Sequence, residues 1–215
     1  MKMAILGSTG FVGKELLKKS IEKGHQIKVL VRKPNKLGEL IEKVEVIEGD
    51  YFDKDKVEKA IIGTDIVISA IGPSTKRPES TEKYESAITS LVAIMKKEKI
   101  NRIILIGGAA TPVKNNEIFN FRQKLISFFL NLVGKHIIQI KSRECAILAN
   151  SGLDWTIVRP PRITKGAPTN NVKADEQNLY RSQIDVADLV DFLINQTTSN
   201  IWLHKAPLVC SVKKS

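Results

Sequence analysis

Three glycines lie within seven residues near the start of the chain, in the glycine loop Gly7-Ser8-Thr9-Gly10-Phe11-Val12-Gly13. An apolar run, Met3–Leu6, precedes this loop, and a helical pattern over 12–24 follows it. Between a strand and a helix, the first glycine permits a tight turn, the second lets the backbone approach a diphosphate, and the third allows close helix–sheet packing. The free N–H groups at the helix start then face the phosphates. The loop therefore predicts a dinucleotide-binding site; a plain tight turn is the alternative.

Short runs rich in Ile and Val alternate with helical patterns along the rest of the chain. The predicted strands are Met3–Leu6, Ile27–Val31, Val44–Ile47, Ile66–Ala70, Arg102–Ile106, Trp155–Val158 and a last one near Ala206–Val212. The predicted helices are 12–24, 34–41, 54–61, 79–98, 117–150 and 185–195. Strands that are apolar on both faces and alternate with helices predict an α/β fold, a Rossmann-type doubly wound parallel sheet in three α/β/α layers. With 215 residues and no linker, we expect a single domain, 1–215.

The substrate-side segment, residues 160–184, differs from the rest of the chain. It carries proline, glycine and an Asn-Asn pair, and it shows no periodic pattern. Long loops in a compact domain are usually functional or disordered. Since ligands bind beyond the carboxyl ends of parallel strands, we expect this loop-rich segment on the substrate side of the site.

The charge balance, with 34 basic and 23 acidic residues, raises the question of an anionic partner. The lysines lie in short scattered runs, with no long basic block and no interleaved aromatic residues. We therefore expect solvated helix faces and no nucleic-acid partner. Two distant cysteines, Cys145 and Cys210, indicate a reducing compartment. A strand pattern over residues 1–6 indicates no signal peptide, and Leu125–Val133 is too short for a membrane span of about 20 residues. We expect a cytoplasmic protein with no membrane partner.

The second predicted strand ends in Val31-Arg32-Lys33-Pro34. Proteins that prefer NAD usually place an acidic residue here to bind the ribose 2′-hydroxyl. Arg32 occupies this position, and a guanidinium can donate two hydrogen bonds to a 2′-phosphate. Arg32 and Lys33 therefore favour NADP(H) over NAD(H), with an exposed edge arginine as the alternative.

Further candidate cofactor neighbours follow the third, fourth and fifth strands. Asp50 could accept a hydrogen bond from the adenine amino group, but an aspartate that begins a turn or helix would look the same. Ala70, Ile71 and Gly72 are small or apolar residues at the end of the fourth strand, which leaves room for the cofactor. We also count Tyr51, Gly107 and Gly108 among the cofactor neighbours.

Taken together, these segments resemble the atypical short-chain dehydrogenases/reductases with the NAD(P)-binding NmrA-like fold, and in pattern the small NADPH-dependent flavin/biliverdin reductases. The likeness includes the glycine loop, V-R-K-P, E-G-D-Y, D-I-V-I-S-A-I-G, S-G-L-D-W-T-I-V-R-P-P at 151–161, and D-V-A-D at 185–188. It covers nearly the whole chain. The resemblance implies that Pro160, Pro161, Arg162 and Ile163 are neighbours of the nicotinamide.

The catalytic position departs from the pattern of ordinary short-chain dehydrogenases, which use a Tyr followed four residues later by Lys. Lys141 is suitably placed, but Ile137 stands where the tyrosine would be, and Gly107-Gly108-Ala109 replaces the usual serine after the fifth strand. We predict that Lys141 contacts the ribose, with an exposed lysine as the alternative. His136 is a candidate proton relay, although a histidine on the helix surface is the more common case.

Without the tyrosine, two functions remain. Either the enzyme transfers hydride from NADPH to an acceptor that needs little help with protons, such as a flavin or quinone, or the domain is a non-catalytic NADP(H)-binding sensor. Another reductase or epimerase chemistry is a third, weaker option. Four phenylalanines between 119 and 129 could border a pocket for a flat small-molecule substrate, or form core or a dimer contact. The chain has no metal-ligand spacing, so we expect no metal, and either a monomer or a homodimer.

Overall fold

The computed structural model describes residues 1–73, 78–113 and 121–212, and within the helix that starts at residue 121 it describes the side chains from residue 135 onward. Six parallel strands form the main sheet, in the order β3-β2-β1-β4-β5-β6. They are β1 (Lys2–Leu6), β2 (Gln26–Val31), β3 (Glu45–Glu48), β4 (Ile66–Ser69), β5 (Arg102–Ile106) and β6 (Asp154–Val158). The predicted Rossmann-type sheet is confirmed, and each of the six strands was anticipated to within one residue at either end.

In the described part of the chain, five α-helices cover the two faces of this sheet: α1 (Phe11–Glu22), α2 (Lys54–Ile61), α3 (Thr81–Lys97), α4 (Phe121–Ala149) and α5 (Val186–Asn195). The predicted helix at 34–41 is instead a 3₁₀ segment, Pro34–Lys43, which is interrupted at Gly38, where φ is +57°. A left-handed glycine cannot continue a helix, which explains the difference. The predicted helix at 117–150 is continuous from Phe121 onward, and residues 117–120 lie outside the described part of the chain.

Alternation along the strands divides the core between the two faces. In β1, Ala4 and Leu6 pack beneath α2, α3 and α4, whereas Met3 and Ile5 pack beneath α1 and α5. Because successive side chains of a strand point to opposite faces, a strand covered on both sides must be apolar at every position. This two-sided burial leaves the carboxyl end of the sheet as the edge where loops can form a site.

The segment 160–184, which the sequence predicts to be loop-rich, also contains three short strands in it or at its end, which the sequence did not predict. They are β7 (Arg162–Thr164), β8 (Val172–Asp175) and β9 (Gln183–Asp185). β7 pairs in parallel with β9, and β8 pairs antiparallel with the last strand, β10 (Leu208–Ser211), which lies inside the predicted range Ala206–Val212. Strands of three or four residues are too short to give a periodic sequence pattern, so distant pairing partners determine them.

Candidate dinucleotide-binding site

The glycine loop is packed so closely that two of its glycines have no room for a side chain. Gly7 has a φ of +84°, and a Cβ on it would lie 2.8 Å from the carbonyl carbon and oxygen of Ala70. A Cβ on Gly13 would lie 2.1 Å from the carbonyl oxygen of Gly7. The amide of Gly10 donates to the same oxygen at 3.0 Å. Helix α1 therefore sits directly against the turn that leaves β1, and the turn sits against the end of β4.

The start of α1 offers its backbone amides to a ligand. Gly10 occupies the N-cap position with an extended backbone, no side chain caps the helix, and the first turn carries no acidic residue. Thr9 and Phe11 are exposed, and Ser8 is fully buried behind them. An uncapped helix start combines free N–H donors with the positive end of the helix dipole, which suits a phosphate.

A cleft opens beside this loop, where the carboxyl ends of β1, β2, β3 and β4 meet. Its lining residues are Gly7, Thr9, Leu30, Val31, Arg32, Gly49, Asp50, Tyr51, Phe52, Ile71, Gly72, Glu79 and Tyr84. The structure thus brings together predicted cofactor neighbours from four separate segments of the sequence. Ala70 packs next to the cleft, against Gly7, and Lys33 is exposed beside Arg32.

Two charged residues face each other at the end of this cleft beside β2 and β3. Nη1 of Arg32 lies 3.8 Å from Oδ2 of Asp50, and both side chains are about half exposed. The other oxygen, Oδ1 of Asp50, accepts a hydrogen bond from the amide of Phe52 at 3.1 Å. Asp50 therefore holds the turn after β3, which agrees with the alternative that the sequence left open, and its other oxygen forms a weak, half-exposed ion pair with Arg32.

Tyr51 lies at the floor of the cleft with its hydroxyl directed into the protein. The residue is 6% exposed, and its Oη has no hydrogen-bond partner among the described residues. Burial raises the pKa of the Tyr51 hydroxyl well above its ordinary value, and the negative charge of Glu144 raises it further. Tyr51 therefore stays neutral, and its aromatic ring, which packs against Phe52, is the part available to a ligand.

Lys141 reaches the end of β4 from helix α4. Its Nζ donates to the carbonyl oxygen of Ile71 at 2.6 Å and lies 2.8 Å from Oε2 of Glu144. Lys141 is 7% exposed and Glu144 is 1% exposed. The alternative of an exposed lysine is wrong, since the ammonium lies beside the segment Ile71–Gly72 that lines the cleft. Ile137, one turn earlier, is half-buried and supplies no acid.

His136 lies on the surface at the start of the region where side chains of α4 are described. Its Nε2 donates to the carbonyl oxygen of Glu79 at 3.0 Å, just before α3 begins. The ring is exposed, and this hydrogen bond joins α4 to α3. This contact agrees with the alternative of a histidine on the helix surface. The described structure shows no contact between His136 and Lys141, so the proton-relay role of His136 stays a prediction.

The turns that follow β5 and β6 are joined by backbone hydrogen bonds. The amide of Gly107 donates to Val158 at 2.9 Å, and the amide of Ala109 donates to Pro160 at 2.9 Å. A Cβ on Gly107 would lie 3.2 Å from Ile157, so this position is closely packed, whereas Gly108 would meet only the side chain of Thr111. Beyond them Pro160 is buried, Pro161 and Ile163 are half-buried, and Arg162 is exposed.

Arg159 is a structural residue that the sequence did not single out. It is 2% exposed, and its guanidinium donates to three backbone carbonyls, those of Ala206, Thr111 and Glu176, at 2.8, 3.4 and 3.0 Å. These acceptors lie before β10, after β5 and after β8. Arg159 therefore ties together the three segments around the end of β6. The sequence S-G-L-D-W-T-I-V-R-P-P contained it, but only the fold reveals its acceptors.

Two aspartates at the start of α5 also hold the substrate-side segment, by accepting hydrogen bonds from its residues. Oδ2 of Asp185 accepts from the amide of Gly166 at 2.6 Å, and Asp188 accepts from Thr169, Asn170 and Ser211. Burial by itself would raise the pKa of the Asp188 carboxyl, but these hydrogen bonds outweigh burial and hold the pKa below its ordinary value. The D-V-A-D motif therefore anchors the segment.

Other sequence expectations concern residues or groups away from the cleft. The apolar helix face between 119 and 133 lies outside the side chains that the structure describes. Among residues 1–73, 78–113 and 121–212, no group of three or more His, Cys, Asp and Glu side chains could hold a metal ion. None of the helices in the described part of the chain is long and apolar enough to cross a bilayer.

The strand order, the glycine loop and the cleft define a nucleotide-binding protein of the Rossmann type. The chain belongs to the family of NAD(P)H-binding proteins, whose model matches residues 7–200. The resemblance to atypical short-chain dehydrogenases/reductases is confirmed. YwnB of Bacillus subtilis is 31% identical over 111 residues, which are 52% of this chain and 49% of YwnB. The chain thus spans about half of the length of YwnB. It spans 33% of the length of another relative, the chloroplast protein TIC 62 of Arabidopsis thaliana.

Solved structures reproduce the fold over the full chain. A short-chain dehydrogenase/reductase of Veillonella parvula in complex with NADP has a TM-score of 0.78 at 18% identity, covering 100% of this chain and 98% of that one. The anaerobilin reductase ChuY of Escherichia coli has a TM-score of 0.80 at 18% identity and covers 100% of both chains. At this identity, the likeness shows the fold alone.

Proposed function

We propose that the protein is an NADP(H)-dependent reductase that passes hydride to a small conjugated acceptor such as a flavin, a quinone or a linear tetrapyrrole. The observation that carries the proposal is Lys141, which is held beside the cleft while Ile137 stands where an acid would be needed. Reduction of an isolated carbonyl needs a positioned proton donor, whereas a conjugated acceptor spreads the added charge and takes its proton from solvent.

Each part of the cleft has a role in this proposal. The amides at the start of α1 hold the diphosphate, Arg32 and Lys33 hold the 2′-phosphate, and the ring of Tyr51 borders the adenine. Lys141 donates to a ribose hydroxyl. The residues that border the remainder of the cofactor are Ala70, Ile71, Gly72, Gly107, Gly108, Pro160, Pro161, Arg162 and Ile163. The nicotinamide would supply the hydride, and the protein would bind, orient and shield it.

Two relatives support the assignment of a reductase and the choice of cofactor. The Veillonella parvula protein of the same fold binds NADP, and ChuY is an anaerobilin reductase. The uncapped helix start and the absence of an acidic residue at position 32 agree with an NADP site.

The test is NADPH oxidation by the purified protein, followed by loss of its near-ultraviolet absorbance, with FMN, FAD, a small quinone and biliverdin as acceptors. We expect turnover with at least one acceptor and slower turnover in Lys141→Met. Surface variant Lys43→Ala is the matched control and should behave as wild type. Tight NADPH binding without turnover across the panel would overturn the reductase and favour the non-catalytic sensor.

A further inference from the structure

Four polar side chains form a buried cluster beneath the cleft. Tyr51, Tyr84, Lys141 and Glu144 are 6%, 4%, 7% and 1% exposed. Tyr51 and Tyr84 line the cleft, while Lys141 and Glu144 come from α4, and Lys141 contacts the carbonyl of Ile71, which also lines it. Two of the four carry opposite charges in the interior, where ions are costly to place.

A contribution to stability does not account for the buried ion pair of Lys141 and Glu144. Removing two charges from water costs several kcal/mol per ion in a protein, and an apolar pair of similar volume is often as stable or more so. Lys141 and Glu144 are also three residues apart on one helix, so the contact adds no tertiary link. The pair therefore invites a functional explanation.

The donors of Lys141 provide that explanation. An ammonium has three N–H donors. One goes to the carbonyl of Ile71, at 2.6 Å. The ammonium also lies 2.8 Å from Oε2 of Glu144, an ion-pair contact in which neither carboxylate oxygen accepts a hydrogen bond from the described residues. A further donor of Lys141 has no hydrogen-bond partner among the described residues, and Ile71 itself lines the cleft.

The strand order assigns this donor to one half of the cleft. Arg32 and Asp50 follow β2 and β3 on one side of β1, whereas Ile71 follows β4 on the other side. A dinucleotide that lies across the glycine loop at the end of β1 places its two nucleotides over these two halves. The adenine nucleotide lies with Arg32, so Lys141 lies at the second ribose.

We propose, resting on the dinucleotide site proposed above, that Glu144 is a positioning residue. It fixes the ammonium of Lys141 against the Ile71 carbonyl, so that the remaining N–H donor is directed to the hydroxyls of the ribose that carries the nicotinamide. Glu144 touches neither cofactor nor acceptor and acts through Lys141. Without its carboxylate, the lysine loses the contact that directs it.

Two ligands separate this role from a general structural one. NADPH contains both nucleotides, whereas 2′,5′-ADP contains only the adenine nucleotide with its 2′-phosphate. Calorimetric titration of Glu144→Gln should show NADPH affinity reduced about tenfold or more, and 2′,5′-ADP affinity within about twofold of wild type, as for loss of one charge-assisted hydrogen bond. Glu85→Gln is the matched control, because Glu85 pairs with Arg143 on the outer side of α3 and α4, at 2.6 Å.

A double-mutant comparison covers the case in which Glu144→Gln folds poorly. The single variant Lys141→Met and the double variant Lys141→Met/Glu144→Gln should bind NADPH with equal affinity, since Glu144 has no lysine left to position in either. An unchanged NADPH affinity in Glu144→Gln, an equal loss for both ligands, or a further loss in the double variant would each overturn the proposal. Wild type that binds neither ligand would overturn the proposed function as well, so the two failures are distinguishable.

Discussion

The carboxylate of Asp50 lies 3.8 Å from the guanidinium of Arg32, at the point where β2 and β3 end beside the cleft. Both groups are half exposed, so the pair is weak and a bound anion can compete for the arginine. A 2′-phosphate would gain the guanidinium and at the same time approach the negative charge of Asp50. In the proposed function, we therefore expect both residues to affect the discrimination between NADP(H) and NAD(H).

Replacing Arg32 should change the preference between the two cofactors. In Arg32→Ala we expect NADPH affinity to fall about tenfold or more and NADH affinity to change by less than about twofold. The reason is that only NADPH carries a 2′-phosphate, the group that the guanidinium would bind. Fluorescence titration with both nucleotides measures this. Lys43→Ala, a charge loss on the exposed end of the neighbouring 3₁₀ segment, is the control. Equal losses for both nucleotides would show that Arg32 does not discriminate.

Replacing Asp50 separates its two roles. In Asp50→Asn the amide oxygen can still accept from the amide of Phe52, so the turn is kept while the charge near the 2′-phosphate is removed. We expect NADPH affinity to rise by about two- to fivefold, the scale of one exposed charge interaction. NADH affinity should not change. Weaker binding of both nucleotides would instead support a hydrogen bond from the adenine amino group to Asp50.

A methyl group on Gly13 should damage both fold and binding. Its Cβ would lie 2.1 Å from the carbonyl oxygen of Gly7, so the glycine loop or α1 must move. Alanine gains about 1 kcal/mol over glycine in helix propensity, but overpacking costs about 1–3 kcal/mol, and here the clash is with backbone atoms that cannot turn aside as a side chain can. We expect Gly13→Ala to unfold at lower urea concentration and to bind NADPH more weakly. The adjacent exposed substitution Lys14→Ala should do neither.

Hydrophobic pattern was sufficient to predict the main sheet. Strands such as Arg102–Ile106 are apolar on both faces, and only burial between two helical layers explains that pattern. The strands β7, β8 and β9 could not be predicted in the same way. Their three or four residues are held by partners such as β10, which is more than thirty residues distant from β8 along the chain.

The residues of the site also fall into those that local sequence predicts and those that only tertiary packing defines. The glycine loop and Arg32 could be predicted because local geometry alone dictates their residue types. Glu144 could not, since an acidic residue three positions after a lysine is also typical of an exposed helix face, and only tertiary packing buries this pair. Arg159 donates to carbonyls of three different segments, a combination that no local pattern in the sequence encodes.

The anchoring of the substrate-side segment should depend on pH through Asp188. Four hydrogen bonds, from Thr169, Asn170 and Ser211, hold the pKa of its carboxyl below the ordinary value of 3.8 despite burial. A lowered pKa in the folded state means that folding favours the ionised form. The stabilisation is therefore complete above the pKa of the unfolded chain and is lost as the pH falls through the folded value.

At neutral pH we expect Asp188→Asn to lower the free energy of unfolding by about 1–3 kcal/mol, as for hydrogen bonds to a buried charge. The difference from wild type should shrink as the pH falls below about 4, because the wild-type carboxyl then becomes protonated. Urea unfolding of both proteins from pH 7 to the acid limit of folding measures the difference. Asp191→Asn, which removes an exposed pair with Lys19 at 3.3 Å, should have little effect at any pH. A destabilisation by Asp188→Asn that stays constant over the whole range would mean that the charge of Asp188 does not hold the segment.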